Sequence, residues 1–379
     1  MPQLSIVPNG ADPAKAFDEK AERSFTLPGN YYYDPEIYAD EMSAIMYKNW
    51  IYAGHVSSLE KTGAYMVRDL GDQSVVILRD RSGEIVAYHN VCQHRAHRLL
   101  EGEGTVKTLI VCPYHSWSYD LDGELKRIPQ EEHAIGLDKS TFCLRPVRVE
   151  VFLGFVFFNL DPDAQSMSER LAPMEEQFRS FWSEPEKLKL AYTKDYEVDA
   201  NWKNVIENYS ECYHCPVSHP TLSQAALDMT NYRIEVMDGY HHHNSGGHGD
   251  QQGYKIENVT SPRGEEFGGW YVFPLTAFEF YPGGKLTVFH NLPDGPEKTK
   301  QRIEWYLPAE QPTADEQELI DFIDVVRRED FSLVESVQRG LHSKGYGQGR
   351  FVVDEARTYI SEHGVHDFQS RVLNALTDA

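Results

Sequence analysis

The sequence predicts an α+β protein: an all-β module followed by a larger part of mixed strands and helices. Three observations predict it. Short β-rich runs (SVVILRD, EIVAYHN, TLIVCPY, GFVFFNL) crowd residues 50–160, and the turn pairs Ser82-Gly83 and Asp122-Gly123 separate some of them. Aromatic-rich strands follow near 268–308, in WYVFPLTAFEFY and KLTVFHNL. A 3.6-residue apolar period then runs through about 314–342, the mark of a long helix.

Residues 1 to about 25 are polar, with Pro, Gly and Asp, and read as a loosely ordered arm. Ile37, Met42, Ile45 and Met46 recur at helical spacing across 36–48. Further helices are expected over 202–213 and 365–376. The expected division is 1–49 as an arm and helix belonging to the later domain, 50–162 as the β module, and 163–379 as the second domain. The run His241-His242-His243, with His248, reads as a mobile polar loop at a pocket mouth rather than a second metal site.

A chain of 379 residues can bury a sizeable core in two or three domains. Lys plus Arg is 36 against 59 Asp plus Glu, a formal charge of −23. That balance argues against nucleic acid and anionic membrane as partners, and leaves room for a basic redox partner or a cationic substrate. The start has no apolar leader, and no stretch of about 18 apolar residues occurs. Five cysteines (92, 112, 143, 212, 215) are an odd number, so disulfide scaffolding is not expected and a reducing cytoplasm is the natural home. Cys143 reads as an inert core thiol, and Cys212 and Cys215 are given no metal or redox role.

The chemistry is concentrated in two places. The first is HNVCQHRAHRLL and LIVCPYHSWSYDLDG, which hold Cys92-x-His94 and, 17 residues on, Cys112-x-x-His115. Zinc also takes two Cys and two His, and is the competing metal. Zinc fingers group Cys with Cys and His with His, whereas each loop here offers one of each. That split suits a [2Fe–2S] centre with both thiolates on one iron and both imidazoles on the other.

The second is the segment 201–220, NWKNVIENYSECYHCPVSHP, a helix broken by Pro216 and Pro220. His214 falls at its end and His219 on the following turn. Two imidazoles and a carboxylate form the facial triad of non-haem Fe(II) oxygenases, with positions left open for dioxygen and substrate. In the helix 314–342 the apolar stripe runs through Leu319, Ile323, Val326, Leu333, Val334, Val337 and Leu341, and Asp330 lies on it. A carboxylate on a buried face is costly unless paired or bound to metal. Glu329 and Asp324 are the rivals and are read as lying off the stripe.

Residues 90–123 resemble the Rieske motif of ring-hydroxylating and related non-haem iron oxygenases. The resemblance implies a Rieske cluster on Cys92, His94, Cys112 and His115, a mononuclear Fe(II) on His214, His219 and Asp330, and a β-rich cluster domain inserted in an antiparallel-sheet catalytic domain. It places the third iron ligand in the 314–342 helix. It makes Glu211 a bridge between His214 and His115 of a neighbouring subunit, in a homotrimer. Within one subunit the two metal sites would be too far apart. Most of the family has Asp at that bridge. Glu211, the run Glu329–Gln338 and the tail Ile360-Ser361-Glu362-His363-Gly364 are similar to the carnitine monooxygenase group. The implied activity is hydroxylation beside a cationic nitrogen with C–N cleavage, using O2 and electrons from a separate flavin and iron–sulfur reductase fed by NAD(P)H. The runner-up substrate is an aromatic acid. Tyr240, Trp270, Tyr271, Phe273, Phe278, Phe280, Tyr281 and Phe289 are the aromatic candidates for the pocket. An electron-transfer protein lacking an oxygenase site would need only the first constellation.

Overall fold

The computed structural model describes residues 16–246, 254 and 263–377. These form two compact units: Met46–Glu169 with Pro185–Lys187 in one, and the described residues through Ile45, Arg170–Glu184 and those from Leu188 onward in the other.

The first unit is almost entirely β. It contains β1 (Ile51–His55), β2 (Ala64–Leu70), β3 (Gln73–Arg79), β4 (Ile85–His89), β5 (Glu103–Thr105), β6 (Ile110–Val111), β7 (Ser118–Tyr119), β8 (Leu125–Arg127), β9 (Pro146–Phe152) and β10 (Phe155–Asn159). A seven-stranded sheet takes the order β1-β10-β9-β4-β3-β2-β5, and a small one the order β6-β7-β8. Val75, Val76, Ile77 and Leu78 are all buried, so β3 is apolar on both faces. Its turn into β4 is set by Asp80, whose carboxylate accepts the Ser82 and Glu84 amides, while Gly83 supplies a φ of +91°. The small sheet and its loops pack Trp117, Tyr119 and Leu121 around Cys92 and Cys112.

The second unit is built on the antiparallel sheet β11-β17-β16-β15-β14-β13-β12. Its strands are β11 (Lys189–Val198), β12 (Arg233–Val236), β13 (Tyr240–Ser245), β14 (Phe267–Val272), β15 (Thr276–Tyr281), β16 (Lys285–Pro293) and β17 (Thr299–Leu307). The helices are α1 (Pro35–Ala44), α2 (Met167–Arg170, at the boundary of the units), α3 (Ala172–Phe181), α4 (Trp202–Tyr209), α5 (Cys215–Ser218), α6 (Ala314–Leu341) and α7 (His363–Thr377). The strand pleat sorts the aromatics. Trp270, Phe278 and Phe280 turn to α3 and meet Phe178 or Phe181. Ala277, Tyr281, Phe289 and Trp305 turn the other way, into the cluster that takes in Leu319, Ile323 and Val326 of α6. A capping box between Thr313 and Glu316 starts α6.

Several expectations need correction. WYVFPLTAFEFY is two strands, because Pro274 cannot donate to a ladder and the chain turns there. The helix expected to 213 stops at Tyr209. The triple-histidine run is no mobile loop: it is strand β13, with all three side chains buried. His248 lies outside the described residues. On α6, Val337 is half exposed and Asp324 is buried, reversing their expected faces. Asp324 is paired with Lys194 and Arg328 and bonded by Tyr196. Cys143 is only partly buried. Among the described residues no helix is long and apolar enough to cross a membrane.

Candidate metal centres

The two Cys/His loops of the β unit are built alike. The Cys92 amide donates to the His97 carbonyl, and the Ala96 amide returns to Cys92 O. In the second loop the Cys112 amide donates to Trp117 O, and the Ser116 amide returns to Cys112 O. Each loop closes through a non-glycine residue in the left-handed region, Ala96 (φ 55°) and Ser116 (φ 58°). That conformation costs about 1–2 kcal/mol per residue and persists only where the surroundings enforce it.

Both thiols are buried and free, and burial pushes the Cys92 thiol up. Tyr119 Oη lies 3.2 Å from Cys92 Sγ and accepts the Gln93 amide at 3.0 Å. The His94 and His115 rings stand 4.6 Å apart, and His94 stacks on Trp117. His115 Nδ1 is buried without a hydrogen-bond partner, which is unusual for a polar atom and fits one waiting for a metal bond. Two free thiols and two imidazoles from matched loops fit a Rieske cluster.

In the second unit Asn201 caps α4 by accepting the Lys203 amide. After α4 the chain turns, and Pro216 helps start α5, with His214 and His219 at the two ends of that short helix. Glu211 is thus not on a helix with His214. Its carboxylate accepts the Tyr213 and His214 amides, and His214 Nδ1 donates to Glu211 Oε1 at 2.6 Å. On α6, Glu329 Oε2 lies 2.8 Å from His219 Nδ1. Each imidazole is therefore held at Nδ1 and presents Nε2 to Asp330 Oδ1, at 3.4 Å for His214 and 2.8 Å for His219. One ligand atom from each of the three residues falls within 4.8 Å of the others.

Burial alone would lower the His214 pKa, but Asp330 and Glu211 outweigh it and raise it to about 10. Burial would raise Asp330, yet Arg327 and the two imidazoles hold it well below the usual carboxylate range. Two His Nε2 atoms and a carboxylate fit ferrous iron, and the carboxylates behind the rings are the partners a metal-bound histidine requires.

Sequence reasoning weighed Glu329 only as a rival to Asp330 and missed its role behind His219. It also missed the cavity beside the three residues. Tyr209, Tyr232, Phe267, Tyr281, Glu279 and Arg327 border it along with Glu211, His214, His219 and Asp330. Of the eight aromatic candidates only Tyr281 borders this cavity, and Trp270, Phe278 and Phe280 lie on the opposite sheet face. The signal available was the charge at Glu279, alone in a run of strand-forming residues. Cys212 and Cys215, given no metal or redox role in a chain where disulfides were not expected, form a disulfide with Cα atoms 5.0 Å apart. An odd cysteine count says nothing about one local pair, and the turn between α4 and α5 brings these two together.

Residues 49–147 match the Rieske [2Fe-2S] domain, and residues 185–378 match the ring-hydroxylating alpha subunit catalytic domain. The chain belongs to the Rieske-type oxygenases, oxidoreductases that incorporate dioxygen using a Rieske [2Fe–2S] cluster and a mononuclear iron. Within them it falls with the family of the carnitine monooxygenase oxygenase subunits. It is 36% identical over 370 residues to the Escherichia coli (strain K12) member, covering 96% of each chain. It is 32% identical to the chloroplastic choline monooxygenase of Beta vulgaris, over 92% of this chain and 76% of that one. The quaternary ammonium Rieske monooxygenase CntA in complex with L-carnitine superposes with a TM-score of 0.85 at 35% identity, covering 95% of this chain and 97% of that one.

Proposed function

We propose that this chain is the oxygenase component of a multicomponent monooxygenase acting on a small quaternary ammonium compound. In this reading Cys92, His94, Cys112 and His115 hold the cluster, and His214, His219 and Asp330 hold the iron. Glu211 bridges from His214 toward the cluster of a neighbouring subunit in a homotrimer. Electrons arrive from a separate NAD(P)H-fed reductase. The division into 50–162 for the cluster, and 1–49 with 163–379 for the iron and substrate, belongs to the same proposal.

The observation that carries the substrate class is the cavity wall. Tyr209, Tyr232, Phe267 and Tyr281 surround the space beside the two histidines and Asp330. Aromatic faces attract quaternary ammonium groups through their negative ring potential. The names of the relatives, which act on carnitine or choline, support the same class.

When bound, the cluster and iron supply one-electron delivery and dioxygen activation. The chain's own residues hold and exclude. Glu211 and Glu329 fix the imidazole rings, Arg327 pairs with Asp330 at 3.3 Å, and the aromatic walls keep the cationic group dry. Overall, a carbon beside the cationic nitrogen exchanges hydrogen for hydroxyl. Dioxygen supplies that oxygen, and its second oxygen leaves as water with two electrons and two protons. The hydroxyl then loses its proton as the C–N bond breaks, giving a carbonyl compound and a tertiary amine.

The test is substrate-dependent NAD(P)H and O2 consumption by the holoenzyme with a surrogate reductase, over γ-butyrobetaine, carnitine, choline and a set of aromatic acids. Coupled consumption with amine release from a quaternary ammonium compound is expected. Coupling to an aromatic acid instead, or zinc without acid-labile sulfide in the purified protein, overturns the reading.

A further inference from the structure

We infer that the Glu279 carboxylate is the anionic anchor for the substrate's cationic head, an inference that rests on the quaternary ammonium reading above. Glu279 sits on β15, where the pleat places Ala277, Glu279 and Tyr281 on the side facing α6. It is 4% exposed, borders the cavity beside His214, His219 and Asp330, and its Oε2 has no hydrogen-bond partner.

The isolation is part of a pattern. His243, Gly269, Glu279, Thr287 and Trp305 are successive cross-strand partners, a single row across five strands. His243 Nε2, Glu279 Oε2, Thr287 Oγ1 and Trp305 Nε1 are all buried without partners. Tyr209 Oη, beside Gly269, is turned toward Glu279 but falls short of full hydrogen-bond geometry. A Cβ on Gly269 would lie 3.1 Å from that hydroxyl, so glycine leaves it the space. Orphaned buried polar atoms are rare in native proteins, and three of these, on Tyr209, His243 and Glu279, belong to residues that border the cavity. Glu279 is the carboxylate among them.

Arg327 is the nearby cation, but it is committed to other partners as well. Its Nη1 pairs with Asp330, and its guanidinium lies over Phe289 at 4.7 Å. Burial raises the Glu279 pKa while Arg327 and the Tyr281 and Tyr209 hydroxyls pull it down only in part. A buried carboxylate that shares a cation with Asp330 is only partly compensated, and a further cation held among aromatic faces would complete the balance. A quaternary ammonium offers no N–H, so it would be bound by charge and ring faces alone. That suits an unpaired oxygen among tyrosines.

The test compares γ-butyrobetaine with its uncharged-head isostere 5,5-dimethylhexanoate, on wild-type and Glu279→Gln holoenzyme, by calorimetric Kd and by kcat/KM. Wild type is expected to prefer the cation, and E279Q to reduce that preference about 100-fold, the scale of stripping the partner from a buried charge. If wild type prefers the cation and E279Q keeps the preference within threefold, the anchor role is overturned while the substrate class stands. If wild type shows no preference for the cation, the quaternary ammonium reading itself fails. Should E279Q not accumulate as holoenzyme, Glu279→Asp answers the same question by setting the charge one methylene back. A loss of about tenfold confined to the cation supports the anchor, and equal losses for both ligands overturn it.

Discussion

Each imidazole of the His214–His219 pair is gripped from behind by its own carboxylate, and the two carboxylates come from different parts of the chain. This separates two predictions. Glu329 orients His219 from α6, so Glu329→Gln is expected to weaken iron binding about 10- to 100-fold, read as iron per subunit after dialysis against a chelator. Cluster content should not change. Retention of iron at the wild-type level would show that the Glu329 contact does not support the ligand. The Glu211 carboxylate accepts from the His214 ring and from the Tyr213 and His214 amides, and is proposed to face a neighbouring subunit as well. Glu211→Ala is expected to lose nearly all turnover even when reconstituted to full iron occupancy, because reduction no longer reaches the iron site. Rapid-mixing spectroscopy of the cluster band checks this. A prereduced variant cluster that reoxidises with substrate and O2 as fast as wild type removes Glu211 from the path.

At the scale of elements, α1 and α4 are joined by a buried ion pair. Lys203 Nζ donates to Glu41 Oε2 at 2.9 Å, and the Trp202 indole N–H donates to the same oxygen. Both charged side chains are essentially inaccessible, at 0% and 1%. Removing one partner strands the other charge, so Lys203→Met is expected to destabilise the protein by about 3–5 kcal/mol, and adding Glu41→Leu should recover much of that. Urea unfolding of the two variants decides it; a double variant no better than the single one would mean the packing, not the stranded charge, sets the cost. This pair was not legible in the sequence, because Glu41 and Lys203 are 162 residues apart and neither breaks a pattern. What was legible follows local rules. Cys and His spacing marked the two loops, the apolar period marked α6, and Asp330 stood out as a charge on that stripe. The same period misplaced Asp324, because a 28-residue helix is buried along more than one line of its surface. The pocket was hardest to read. Which face of β15 meets α6 depends on sheet register, so the lone charge at Glu279 stands out in the sequence but the side it faces does not.

Over the whole molecule, His241, His242 and His243 are buried, and burial lowers all three pKa values. The unfolded chain takes up protons on these rings near pH 6.5, while the folded chain takes them up only at lower pH. Below pH 6.5 the unfolded state binds more protons, so stability is present above that pH and is lost as pH falls toward the folded values. Each ring contributes at most about 1.4 kcal/mol per pH unit, and His243→Gln is expected to flatten the slope between pH 6.5 and 5 by up to that amount in urea titrations. An unchanged slope would show that His243 titrates when folded as it does when unfolded. The largest scale is the assembly. If electrons pass from the cluster of one subunit to the iron of the next, neither centre needs its own chain's partner. Asp330→Ala lacks a proposed iron ligand and keeps the cluster loops, while His115→Ala lacks a proposed cluster ligand and keeps the iron site. Each should be inactive alone. In the proposed trimer, mixed at random, half of the subunits carry a competent iron site, and half of those face a neighbour with a competent cluster. Dissociating and reassembling an equal mixture should therefore restore about a quarter of wild-type turnover, because a cyclic interface gives each iron site one donor neighbour. Transfer confined to one chain predicts no recovery at any mixing ratio, since no subunit in the mixture then holds both centres.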